Sequence, residues 1–308
     1  MTNLAARTSP ATRAERLRGA IDTLSEVSLG EEAVASLGEA SLPSVEALRS
    51  VVGLVADVVF PGFFDKRHAE GEIRRCYVGK SVEQLASMLS VQVARALAFG
   101  MPGEGDAACR AADIAVRFVE RLPRVKELLY TDVDAMLHND PAVTSSGEVI
   151  FCYPMVRAML HHRVAHELLV LGVPVVPRII AEMAHSQTGI DIHPGAQIGD
   201  HFCIDHGTGI VIGETCVIGS HVMLYQGVTL GAKSFSRGDD GMLVNEPRHP
   251  IIEDHVTIYS NSSVLGRITI GHHTVIGGNV WLTHGVPPHS VILQRKAVSS
   301  QFTDGAGI

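Results

Sequence analysis

The chain has 308 residues, 46% of them hydrophobic, and a net charge of −8 at pH 7. That length and apolar content suit one large or two ordinary domains with a sizeable core. The acidic balance excludes a general nucleic-acid binder, whose surface would be basic. The five cysteines, Cys76, Cys109, Cys152, Cys203 and Cys216, are widely spaced without a C-x-x-C, which fits reduced thiols in a cytoplasmic protein rather than a disulfide framework.

Residues 1–45 hold no firm pattern. Arg7, Arg13, Arg16 and Arg18 stand against Glu15 alone, which reads as a basic tail, and no early stretch has the apolar core of a signal peptide. The run "VVGLVADVVFPGFF" (51–64) contains Asp57 and Pro61 and is too short to span a membrane. From 46 to 189 the period is helical. "SVEQLASMLSVQVARALAFG" (81–100), "AACRAADIAVRFVERL" (107–122), "YPMVRAMLHHRVAHELLVLG" (153–172) and "RIIAEMAHSQTG" (178–189) repeat apolar residues at three- and four-residue spacings, three of them closing on Gly. On this reading His161 and His162 are helix-surface residues.

From residue 190 the period changes. Ile192, Ile198, Ile204, Ile210, Cys216, Val222 and Val228 follow at steps of six, and Ile252, Ile258, Val264, Ile270, Ile276 and Leu282 resume the step after a break. A sustained hexapeptide repeat is the mark of a parallel β-helix, in which three six-residue units close an 18-residue triangular coil and stacked coils share one core. Cys203 and Cys216 read as small core residues. The break, "GAKSFSRGDDGMLVNEPRHP" (231–250), is polar and rich in Gly and Pro and reads as a loop thrown out from the prism. The predicted fold is therefore α+β: a poorly determined segment 1–45, helices over 46–189, a β-helix over 190–290 and a tail over 291–308.

Four strings, "DIHPGAQIG" (191–199), "IDHGTGIVIGETCVIG" (204–219), "GVTLGAK" (227–233) and "RHPIIEDHVTI" (248–258), together with "NDPA" (139–142), resemble the serine O-acetyltransferase family over roughly residues 125–290. The resemblance implies a left-handed parallel β-helix behind a helical domain. It implies acetyl transfer from acetyl-CoA, as co-substrate, to the hydroxyl of L-serine, with cysteine as feedback inhibitor. Trimers, or dimers of trimers, follow from it as well. The terminal Ile308 matches the residue that members of the family dock into O-acetylserine sulfhydrylase. Neither a metal, a nucleic acid nor a membrane is expected as a partner.

The chemistry asks for a base, because a serine hydroxyl is a poor nucleophile at neutral pH. His206 can take that proton and return it to the leaving thiolate. A carboxylate on its second nitrogen would fix the tautomer, and the family dyad maps onto His206 and Asp191, which the spacing places on an adjacent coil. Gly207 and Gly209 allow a tight turn beside it. By resemblance Asp140 and Asp205 meet the substrate ammonium. Arg248, whose planar fork suits a carboxylate, meets the other end with His249 beside it. Gly231, Ala232, Ser260 and Gly278 map onto cofactor contacts. There the chain departs from the family, which has Gly-Gly at 231–232 and Gly-Ala-Gly at 260–262.

Two other readings compete. A different CoA-dependent hexapeptide acyltransferase could act on a sugar or another amino acid, although the Asp191, Asp205 and Arg248 set favours a charged acceptor. A zinc hydratase on a β-helix would need three convergent ligands. Histidines occur at 201, 206, 221, 249 and 255, without a three-ligand spacing, and His193 reads as structural.

Overall fold

The computed structural model describes residues 13–26, 42–64, 71–100, 106–238 and 240–294. Ile308, most of the 1–45 segment and most of the tail lie outside the described residues. Among these there are seven helices: α1 (Arg13–Leu24), α2 (Val45–Val59), α3 (Gly71–Gly100), α4 (Ala107–Asn139), α5 (Ser146–Cys152), α6 (Pro154–Val170) and α7 (Val176–Thr188). No helix among them is long and apolar enough to cross a membrane.

The helix ends follow from local chemistry. Ser44, Asp106 and Ser145 cap α2, α4 and α5 by accepting backbone N–H groups of the first turn. Gly189 closes α7 in the left-handed region, with φ 71. Helix α4 runs 33 residues, through Pro123, well past the sixteen-residue stretch in which its periodicity is plain. Helix α6 is buried along an unbroken run from Ala158 to Ala165. His161 and His162 are therefore interior residues, which corrects their reading as surface. A helix covered on all sides carries no polar stripe to mark its orientation.

Fourteen short strands follow Asp191 and stack into three parallel sheets, β1-β4-β7-β10-β13, β2-β5-β8-β11 and β3-β6-β9-β12-β14. Each strand contributes one inward residue. Ile192, Ile212, Leu230, Val264 and Leu282 line the first side, Ile198, Ile218, Ile252 and Ile270 the second, and Ile204, Leu224, Ile258, Ile276 and Ile292 the third. Burying one such side chain is worth about 1.5–3 kcal/mol, so the stacked rows supply the cohesion that no single coil could.

The repeat is not the uniform step of six read from the sequence. Asp191 pairs with Val211, twenty residues on, whereas Val211 pairs with Thr229, eighteen on. The inward row passes from Ile204 to Ile212, while Ile210 belongs to a second buried row at the corners with Cys216, Val222 and Val228. The chain inserts two residues at the corner that follows Asp205. Because Ile210 is itself apolar and six from Ile204, the slip leaves the sequence rhythm intact.

A buried ion pair ties helices to coils. Arg163 on α6 donates through Nε and Nη2 to both oxygens of Asp132 on α4, each at 2.8 Å. The same guanidinium donates to the carbonyls of Ile198 and Gly199, while Asp132 accepts the Phe202 N–H at 3.1 Å. The end of α4 and the start of α6 are thereby held against β3, with Ile204 N–H directed at Met155 Sδ.

Candidate active site

The sheet β1-β4-β7-β10-β13 turns Asp191, Val211, Thr229, Ser263 and Trp281 outward. The residues predicted for the site gather at the two corners that bound it. At one corner, after β3, stand Asp205 and His206. Ser260 and Gly278 lie on the same edge in later coils, linked by ladder bonds from Gly227 to Thr208, Asn261 to Gln226 and Asn279 to Ser260. At the other corner stand Gly231, Ala232, Arg248 and His249. A flat side of about five residues separates the two by on the order of 15 Å.

The inserted residues explain the first corner. His206 has φ 58, a left-handed conformation that costs a non-glycine residue, and it is followed by Gly207 and Gly209 at φ 83 and 80. An added Cβ on Gly207 would collide with Ile190 and Ile204. The tight corner pushes the His206 side chain out to 73% exposure, with Nε2 3.7 Å from Asp205 Oδ1. The carboxylate of Asp205 is 18% exposed and so is held between protein and solvent.

Helices complete this edge. Asp140, the C-cap residue of α4, accepts the Ala142 N–H at 2.8 Å and the Tyr153 hydroxyl at 2.7 Å. These two bonds hold its carboxyl below the ordinary range. The same bond to Asp140 pushes the Tyr153 phenol up to about 12, so it stays a donor throughout the physiological range. Tyr153 was missed in the sequence, where only its place before Pro154 hinted at a helix start. Gln226, one coil on, has a buried side-chain oxygen without a protein partner.

The second corner is a closed hydrogen-bond network. Thr215 Oγ1 accepts the backbone N–H of Arg248 at 2.9 Å and of His249 at 3.1 Å. The Thr215 N–H donates to His249 Nδ1 at 3.1 Å. Nδ1 must therefore be an acceptor, which leaves the proton of the neutral ring on Nε2. Burial, with Arg248 close by, lowers the pKa of His249 and keeps that neutral form. Gly213 has no alternative here, since a Cβ would fall inside the His249 ring. Arg267 braces the corner by donating to the carbonyls of Thr215 and His249. Arg248 pairs with Glu214 at 2.6 Å, a partner the sequence reading did not foresee.

The predicted dyad does not close within one chain. Asp191 makes no hydrogen bond or ion pair to His206 and instead groups with Glu182 and His185 of α7, their ligand atoms within 4.8 Å of one another. His193 uses Nδ1 to accept the Gly195 N–H at 3.0 Å, the structural role expected of it, and lies near Glu214 and Asp191. Among the cofactor positions, Gly231 ends β7 against Leu265, and Gly278 lies against Ser260. The departure at Ser262 is internal: its hydroxyl donates to the Gly277 carbonyl and accepts the Val280 N–H. None of the three-ligand groups found among the described residues includes His206 or His249.

Comparison with known proteins decides the family. The "Serine acetyltransferase, plasmid" of Synechococcus elongatus is 46% identical over 275 residues, 87% of this chain and 86% of the relative. This chain belongs to the serine acetyltransferase family. The serine acetyltransferase of Staphylococcus xylosus is 44% identical over 56% of this chain and 74% of its own length. The bacterial transferase hexapeptide (six repeats) family matches residues 249–284. The crystal structure of serine acetyltransferase isoform 3 from Entamoeba histolytica, in complex with cysteine, superposes with a TM-score of 0.71 at 34% identity, covering 82% of this chain and 84% of that one.

Proposed function

We propose that this protein transfers the acetyl group of acetyl-CoA to the hydroxyl of L-serine, at a site assembled between two copies of the chain. The observation that carries this is the separation of the two corners. Asp140, Asp205 and His206 stand on one edge of the outward-facing sheet, and Arg248 and His249 on the other. An edge of one copy facing the opposite edge of the next is a head-to-tail contact, which forms a closed ring where its rotation closes, and the family resemblance makes that ring a trimer.

In that site the carboxylates of Asp140 and Asp205 take the serine ammonium. Arg248 exchanges Glu214 for the substrate carboxylate, and the Nε2–H of His249 donates beside it. His206 removes the hydroxyl proton as the oxygen attacks the thioester carbon. Collapse of the tetrahedral adduct expels the CoA thiolate, which takes that proton back. Asp191, grouped with Glu182 and His185 in its own chain, would orient the imidazole across the interface. Gly231, Ala232, Ser260 and Gly278 would border the acetyl-CoA. Cysteine has the same ammonium and carboxylate as serine, so the same residues would admit it as an inhibitor.

The substrate is tested by CoA release from acetyl-CoA with L-serine, L-homoserine and a panel of sugars. Release with serine is expected, and release with another acceptor alone would move the substrate. The assembly is tested by mixing His206→Ala and His249→Ala chains. Each alone is inactive, and random mixing restores about a quarter of the sites if every site spans two copies. No recovery would place the whole site within one chain.

A further inference from the structure

The third corner of the β-helix, away from the outward-facing sheet and from both halves of the proposed site, carries a column of imidazoles. His201, His221, His255, His273 and His289 occupy it in successive coils, all in the left-handed region with φ between 50 and 58. The backbone repeats the same bond each time: the N–H of His221, His255, His273 and His289 donates to Asp200, Ser220, Asp254 and His272 of the coil before. Their rings stack with centroids 4.2, 4.7, 4.6 and 5.1 Å apart. Backbone geometry alone does not demand histidine. Asn261 and Asn279 meet the same φ, at 59 and 57, on the His206 corner.

At the last described coil the column becomes a tripod. His272 sets its ring edge-on to His273 and to His289, at 85° and 87°. Its Nδ1 is 3.1 Å from that of His273, and one ring nitrogen from each of the three lies within 4.8 Å of the others. We infer that His272, His273 and His289 bind one divalent transition-metal ion of the zinc class. Zinc holds imidazole nitrogens at about 2.0–2.1 Å, which sets them about 3.4 Å apart in a tetrahedron. Rotation of the two exposed rings, His273 and His289, closes the remaining gap and leaves the fourth position to water. Imidazole ligands favour zinc, nickel and copper over magnesium or calcium.

The ion would act as a clip. His272 and His273 lie in one coil and His289 in the next, where, among the described residues, β14 pairs only with β12. An end coil has no neighbour to bury its core, so solenoids need a cap there. A metal bond between the last coils supplies one.

The test uses untagged full-length protein freed of metal, titrated with zinc chloride in a non-chelating buffer by calorimetry and followed by thermal unfolding. His273→Asn and His289→Asn keep a residue that accepts the left-handed corner. One zinc per chain and a rise in unfolding temperature are expected. Each variant should weaken binding at least about tenfold and lose the rise, while His201→Asn keeps both and acetyl transfer is unchanged throughout. Binding no stronger than in a His272, His273 and His289 triple Asn variant, or binding lost in His201→Asn instead, would overturn the site.

Discussion

The two corners that border the outward-facing sheet are built in opposite ways. At Arg248 and His249 the side chains are held by the protein: Thr215 fixes the ring and the backbone, Glu214 holds the guanidinium, and Arg267 braces the turn, which leaves the His249 Nε2–H to be used. At His206 the side chain stands exposed on a strained backbone, with the carboxylates of Asp205 and Asp140 near it. One edge is locked by its own hydrogen bonds, and the other leaves its imidazole open. On the proposed reading, a base left free in the single chain would gain its alignment when substrate and a second copy arrive, since catalytic hydrogen bonds often tighten only in the complex.

The comparison breaks most completely at His206. His206→Ala should lower turnover by about 10²- to 10⁴-fold, the usual contribution of general-base catalysis, with the size-exclusion profile unchanged. Near-normal turnover would remove the base from this corner. Asp132→Ala attacks the support of the same edge. It strips the buried Arg163 of its partner and should cost about 3–5 kcal/mol in denaturant unfolding. Helix α4, which carries Asp140 to the site, would lose its anchor, and a stability loss below about 1 kcal/mol would show that the pair is dispensable.

Gly213→Ala tests the locked edge. The methyl group would occupy the space of the His249 ring, so the ring must leave its bond to Thr215. The Michaelis constant for serine should rise by roughly tenfold or more, as expected when a charge-assisted site loses its geometry, while the constant for acetyl-CoA moves less. Equal effects on both substrates would show that the corner serves the whole site.

How much of this was legible in the sequence depends on which signal each feature leaves. The β-helix was legible because one apolar residue in six must point inward, and the loop was legible because Gly and Pro replace that rhythm. The two-residue slip was not, because Ile210 substitutes for Ile212 in the count. His206, Arg248 and His249 were visible as polar residues interrupting apolar order. The partners of the site residues, Tyr153 on Asp140, Glu214 on Arg248 and Thr215 on His249, were invisible, since each reaches its target from another coil or helix. The histidine column shows the same limit. Its members sit 16 to 34 residues apart in the chain and meet only because the coils stack.

The finest test of the free edge concerns the protonation of Asp140. Its carboxyl is held low first by the Tyr153 hydroxyl and then by the Ala142 N–H. A depressed carboxylate stays ionised, and able to meet an ammonium, down to lower pH than usual. Tyr153→Phe removes the larger of these influences and leaves the backbone bond, so the carboxyl should move up toward its ordinary range. Tyr153 itself, at about 12, does not titrate near the working pH, so the change is carried by Asp140 alone. At neutral pH Asp140 remains charged in both proteins, and serine binding should differ by no more than about tenfold, the worth of one hydrogen bond. As pH falls, the variant should lose serine affinity first, its acid limb displaced to higher pH, while its constant for acetyl-CoA follows the parent. Coincident acid limbs would mean that Asp140 does not hold the ammonium, and that Asp205 alone carries that charge at the edge where His206 stands.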